Sequence, residues 1–292
     1  MCSNWTYSPV FQGQTMTKAT DFCETPRSGA RLPRAVVTGG SGGIGHLVVR
    51  DLLRCGYEVV ALSRRAPPLS DPHLFHIVCD LADTNEIERA GSEIVRANVP
   101  IAALVHCAGI IEPGAIEGMK ADALQRQLAV NLTAPIFLTS LLLPIMKRGG
   151  HIAFVNSLAA VYPLPESSVY AAAKAALRSF ALALTIEVKP RKISVSSVFP
   201  GAVDTPMLEQ EMQSGGSVLN FVNPPATPES VAATVIKAIG RSHGGEYFRP
   251  AIDGVFGRIC MCWPELLRFV LPLFTWIGKR GVKKHARLKK KL

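Results

Sequence analysis

Charge is scarce in this sequence. Lys, Arg, Asp and Glu together supply 18% of its 292 residues, against 48% hydrophobic residues. That balance excludes a disordered middle and leaves ample material for a large core. Acids are the scarcer sign, 22 against 32 bases, and they are missing altogether from residues 279–292. That segment holds eight Lys/Arg, so it supplies +8 of the net +10 and leaves +2 for everything else. The basic balance therefore describes a terminal segment and excludes a broadly basic surface. No aromatics interleave with those bases, which weighs against nucleic acid as a partner. Residues 1–33 lack the apolar run of a secretory signal and are expected to form a flexible extension. The seven cysteines show no paired framework, and Cys260-x-Cys262 lacks the partners of a zinc site, so no metal is expected. A reducing, cytoplasmic setting is the expectation that follows.

What is present is alternation. Short apolar runs (35–38, 58–63, 75–79, 101–106, 151–156, 193–198) alternate with helical stretches (44–54, 83–97, 121–147, 168–188, 229–239), and 246–248 closes the series. Such a pattern predicts an α/β fold: one Rossmann-type, doubly wound parallel sheet with helices on both faces. The catalytic domain is expected over 34–253. Residues 202–227 lack a clear period and read as a substrate loop. Residues 254–292 read as an apolar, then polybasic, extension.

The first strand runs into Thr38-Gly39-Gly40-Ser41-Gly42-Gly43-Ile44-Gly45 and then a helix. Glycines there allow a tight turn and close approach of the backbone to a pyrophosphate, which the helix N-terminus attracts. The second strand ends Leu62-Ser63-Arg64-Arg65, with no acid to bind a ribose 2′-hydroxyl. A hydroxyl and two guanidinium groups suit a 2′-phosphate instead, so NADP(H) is the expected cofactor.

Tyr170-Ala-Ala-Ala-Lys174 puts a phenol and an ammonium one helical turn apart. A nearby ammonium stabilises phenolate and is expected to lower the tyrosine pKa, preparing it for proton transfer. Isolated instances of this spacing are common on surface helices, so the surroundings decide. Ser157 follows the 151–156 strand at its carboxyl end, where open α/β sheets bind ligands. Asn131 interrupts an apolar helical stretch, where a local break is expected.

With these elements in order, the sequence resembles the short-chain dehydrogenase/reductase family from about Arg34 to Phe248. The matching residues are Thr38-Gly39-x-x-x-Gly43-x-Gly45, Asp80-Leu81, Ala108-Gly109, Asn131, Ser157, Tyr170-x-x-x-Lys174 and Pro200-Gly201 with Val203 and Thr205. The resemblance implies Tyr170 as general acid/base and Lys174 as its modulator and ribose ligand. It implies that Ser157 positions a carbonyl and Asn131 supports a proton-relay water. Asp80 would lie by the adenine and Thr205 by the nicotinamide carboxamide. It further implies a homo-oligomer formed through the helices bearing Asn131 and Tyr170. One departure stands out: His106-Cys107-Ala108-Gly109 replaces the family's Asn-Asn-Ala-Gly.

Residues 259–277 are apolar but interrupted by Pro264, Glu265, Arg268 and Pro272, with Trp263 and Trp276 near the ends and the basic block following. This combination predicts peripheral attachment to an anionic membrane face rather than a span. The leading expectation is NADPH-dependent reduction of a ketone on a lipophilic, 3-oxoacyl or other acyl-chain substrate. An NADP-dependent alcohol dehydrogenase working oxidatively and a non-catalytic NADP(H)-binding protein are the alternatives.

Overall fold

The computed structural model describes residues 31–263 and 265–289. The expected flexible extension at 1–33 therefore lies, up to residue 30, outside the described residues. Seven parallel strands form one sheet in the order β3-β2-β1-β4-β5-β6-β7. They are β1 (Arg34–Thr38), β2 (Glu58–Ser63), β3 (Leu74–Val78), β4 (Ile101–His106), β5 (Met146–Val155), β6 (Ser194–Pro200) and β7 (Gly245–Arg249). This is the expected doubly wound Rossmann-type sheet.

Side chains alternate across each central strand, so neighbouring residues feed different cores. Val36, Leu104, Ile152 and Phe154 are buried on one face with residues of α2 (Thr84–Arg96), α4 (Ala134–Leu142) and α5 (Ser168–Glu187). Val37, Val105, Ala153 and Val155 are buried on the other with α1 (Gly43–Arg54) and α7 (Pro228–Ile239). The chain order reverses direction between β1 and β4, and there the connections leave on opposite faces. Such a switch point opens a crevice at the carboxyl ends of the strands.

Three stretches differ from the expected elements. The helix expected over 121–147 is broken: α3 (Ala121–Leu128) gives way to a π-turn at Ala129–Thr133, α4 follows, and β5 already begins at Met146. Pro144, in the turn Leu143–Ile145, ends the helical run. The aperiodic 202–227 stretch contains α6 (Pro206–Gln213) and a turn at Val218–Phe221. Thr205 caps α6, accepting a hydrogen bond from the Leu208 N–H, and Pro206 occupies its first position. The apolar stretch 259–277 is not continuous: α8 (Ala251–Cys262) stops at Trp263 and α9 (Glu265–Lys289) starts afresh. Cys79, Cys107, Cys260 and Cys262 are free thiols. Cys55 is disulfide-bonded, which corrects the reading of all seven cysteines as unpaired.

Candidate active site

The glycine-rich turn is closed by backbone. The Gly39 N–H donates to Leu62 O at 2.8 Å, tying the turn to β2. Gly39 has φ +70°, and a Cβ there would lie 2.8 Å from the Ala108 Cα. A Cβ on Gly45 would strike the Gly39 carbonyl oxygen. Only glycine fits at either place. Thr38 Oγ1 accepts from the Ala108 N–H at 3.2 Å, locking the β1 and β4 ends together. Gly42, the N-cap of α1, provides no side-chain cap, and the first turn carries no acid. The N–H groups of Gly43 and Ile44 thus head an unscreened positive helix end beside Ser41, a fit for a pyrophosphate. Thr205 overlies this turn, its Cγ2 3.4 Å from a Cβ built on Gly43.

At the end of β2, Ser63 is buried and donates its hydroxyl to Arg65 O at 2.7 Å, with His76 Nε2 3.3 Å away. Its hydroxyl shapes the turn instead of facing a ligand freely. Arg64 and Arg65 are exposed, and neither pairs with an acid among the described residues. Asp80 is already engaged: Oδ1 accepts from the Ala82 N–H at 3.0 Å, and Oδ2 lies 3.4 Å from Arg126 Nη2. Leu81 beside it is buried.

The π-turn explains Asn131. The extra residue in the turn lets this fully buried side chain reach across to the 109–110 loop. Its Oδ1 accepts from the Ile110 N–H at 3.1 Å and its Nδ2 donates to Ile110 O at 2.8 Å. A Cβ on Gly109 would sit 3.2 Å from Asn131 Oδ1 and 3.7 Å from Lys174 Nζ, so the Ala108-Gly109 turn, Asn131 and Lys174 converge. Lys174 is buried and donates to Val155 O at 3.1 Å. Its Nζ lies 5.7 Å from the centroid of the Tyr170 ring. Ser157, just past β5, interacts with Tyr170 closely enough to lower its pKa, and its Oγ accepts from the Ala159 N–H at 3.1 Å.

Burial pushes the Tyr170 hydroxyl up to about 12, with Ser157 pulling it down and the Glu211 charge pushing it up again. Burial also lowers the Lys174 ammonium to about 8. Glu211, on α6, carries no signal in the sequence. It is held by Asn220, whose Nδ2 donates to Oε1 at 2.7 Å, and burial raises its pKa. Asn156 is equally silent in the sequence. It accepts the Ser157 N–H at 2.9 Å and keeps a buried Nδ2 without a partner among the described residues.

His106 and Cys107 are packing residues. His106 stacks on Phe154 with ring centroids 4.9 Å apart, and its Nε2 lies 2.9 Å from Thr139 Oγ1. Burial lowers its pKa to about 3 and raises that of Cys107 to about 12, so one is a neutral imidazole and the other an inert thiol. After β6, Gly201 donates to Arg249 O at 2.8 Å and Val203 bridges to Ala226. These contacts lead the chain from Pro200 to Thr205 back over the crevice.

Comparison with known proteins identifies the family. The family described as short chain dehydrogenase matches residues 33–215. A "Dehydrogenase/reductase SDR family member 7B" from Xenopus tropicalis is 30% identical over 264 residues, 82% of this chain and 85% of that protein. The "3-oxoacyl-[acyl-carrier-protein] reductase MabA" of Mycobacterium avium is 30% identical over 233 residues, covering 77% and 89%. Among solved structures, a short chain dehydrogenase from Burkholderia cenocepacia in complex with NADP aligns with TM-score 0.63 and 26% identity, covering 74% of this chain and 95% of that one. The chain belongs to the short-chain dehydrogenase/reductase family and is an NAD(P)-dependent oxidoreductase.

Proposed function

We propose that this enzyme uses NADPH to reduce a ketone to a secondary alcohol on an apolar substrate. The observation that carries the reading is the convergence of Asn131, Ser157, Tyr170 and Lys174 at the carboxyl ends of β4 and β5. Ser157 holds the substrate carbonyl oxygen against the Tyr170 hydroxyl. Tyr170, protonated at neutral pH like any tyrosine and more firmly so through its burial, gives its proton to that oxygen. Bound NADPH supplies the hydride to the carbonyl carbon. Lys174 holds the nicotinamide ribose, and with its pKa near 8 it passes a proton back toward Tyr170. Asn131 fixes the backbone at Ile110 and supports a relay water. Gly39, Gly43 and Gly45 leave room for the pyrophosphate.

NADP(H) over NAD(H) is supported by the absence of an acid at the end of β2 and by Arg64 and Arg65, which pair with no acid among the described residues. The NADP bound in the Burkholderia relative and the 3-oxoacyl activity in the name of the Mycobacterium relative favour this cofactor and an acyl-bearing ketone. Reduction is preferred to oxidation because NADP pools are usually poised toward the reduced form. The exposed Leu182 and Ile186 on α5 support a homo-oligomer, and α9 supports peripheral membrane attachment. The test follows NADPH consumption with ketones of increasing chain length. Consumption that rises with chain length agrees with the proposal. No turnover of any ketone, with oxidation of the matching alcohols by NADP, would reverse the direction assigned.

A further inference from the structure

Helices α8 and α9 divide their apolar residues between two faces. Helices on soluble domains turn large apolar residues inward and polar ones outward. Here Phe256 and Phe274 pack on each other with ring centroids 5.4 Å apart, and the closest approaches to the body are made at glycines. A Cβ on Gly254 would lie 2.6 Å from the Phe248 ring, and one on Gly257 2.7 Å from Val161 Cγ2. On α9, Cβ atoms at Gly278 and Gly281 would strike the carbonyl oxygens of Val218 and Phe221. A second set of large apolar residues faces outward: Ile252, Val255 and Ile259 on α8, and Phe269 (75% exposed), Leu273 (55%) and Trp276 (52%) on α9.

Helical spacing sharpens this. Phe269, Leu273 and Trp276 follow i, i+4, i+7 and share one face. Continuing the same stripe toward the C-terminus reaches Arg280, Lys283 and Arg287, all exposed. The Arg280 guanidinium lies 3.5 Å from the Trp276 ring centroid, at the seam between the two halves. After Glu265 the chain carries no acid. One face is thus apolar for its first half and cationic for its second, with tryptophan at the boundary. Arg280, Lys284 and His285 also rim a cavity of ≈270 Å³ whose wall includes Phe221, Pro224 and Pro225.

The inner side of α9 grips the substrate loop. Beyond the two glycine contacts at 218–221, the His285 ring packs on Phe221 with centroids 5.2 Å apart, and its Nε2 lies 3.9 Å from Asp204 Oδ1. Asp204 precedes Thr205, and Asn220 in that turn holds Glu211 beside Tyr170.

We infer that the outer face of α8 and α9 docks on an anionic bilayer surface, and that docking steadies the 202–227 substrate loop from behind. This deepens the apolar-substrate reading and rests on it for the loop's role. The occupant follows from charge complementarity: cations near an anionic leaflet add about fivefold in affinity each, and the apolar half alone suits acyl chains. A rigidified loop then meets its substrate at the surface where apolar ketones partition.

The test uses the full chain with NADPH and vesicles of phosphatidylcholine, with or without phosphatidylserine. Flotation with the anionic vesicles, a blue shift of the Trp263 and Trp276 emission, and slower amide exchange over 202–227 are expected. Phe269→Glu with Leu273→Glu, both exposed, should abolish all three. Lys283→Glu with Arg287→Glu should weaken anionic binding more than about tenfold. No flotation, or flotation that ignores both variant pairs, overturns the dock. Flotation without slower exchange overturns the coupling. A dimer that Phe269→Glu dissociates, with no vesicle binding, assigns the face to a second copy of the chain. Tyr170→Phe should bind vesicles like the wild type, so failure of the reductase reading and failure of the dock are separately visible.

Discussion

Replacing His106 by glutamine should make the enzyme less sensitive to acid. His106 is 2% exposed, stacked on Phe154, and burial lowers its pKa to about 3. His151, also buried and paired with Ser196 Oγ at 2.8 Å, is lowered to about 4. An unfolded histidine titrates near 6.5. A depressed native pKa means the stabilising contribution is whole above 6.5 and is lost as pH falls toward the native value. Between pH 7 and pH 5 each histidine therefore removes about 2 kcal/mol, roughly 4 kcal/mol together. In His106→Gln the new side-chain amide can still reach Thr139 but takes up no proton. The variant's absolute stability should fall by about 1–3 kcal/mol from lost stacking and fit, yet its pH dependence over this window should be about half that of the wild type. Urea unfolding at fixed protein concentration, at pH 7 and pH 5, measures both. Identical losses in wild type and variant would refute the assignment of His106 as a buried neutral imidazole.

Other perturbations read the site more directly. Arg64→Ala should weaken NADPH binding by about 1–3 kcal/mol and leave NADH nearly unchanged; titration of both cofactors reads this, and equal losses would contradict the 2′-phosphate role. Glu211→Gln removes a charge that raises the Tyr170 pKa, so the alkaline limb of the reduction rate should move to lower pH; an unmoved limb would separate Glu211 from the phenol. Gly45→Ala places a Cβ on the Gly39 carbonyl and should cost about 1–3 kcal/mol of stability together with cofactor affinity, measured by thermal melts with and without NADPH.

The alternating strands and helices and the glycine turn were legible because each is a local pattern: β-branched runs, helical spacing, and glycine where a strand meets a helix. Asn131 was half legible. Its poor fit to a helix announces a break, but not that the break is a π-turn carrying the side chain to Ile110. The run 121–147 reads as one helix because it is apolar on all sides, so periodicity cannot show where α4 ends. The start of β5 was hidden because Lys147-Arg148-Gly149-Gly150 looks like a turn. Thr205-Pro206 was a readable cap for α6 that the mixed composition of the following residues obscured. Glu211, Asn156 and the clasp of α9 on 218–221 arise from tertiary contacts alone and leave no trace in spacing. The strength of burial around Tyr170, which raises its pKa, is likewise a property of the packed fold and not of the spacing to Lys174.

The proposed reduction depends on Tyr170 as the proton donor. Stopped-flow and steady-state measurements on Tyr170→Phe, with any ketone the wild type consumes, test it most directly. Turnover should fall by at least about two orders of magnitude, the typical contribution of a positioned general acid, while NADPH affinity is nearly retained, because the phenyl ring and its packing stay in place. Turnover close to wild type, with the cofactor bound normally, would contradict the account.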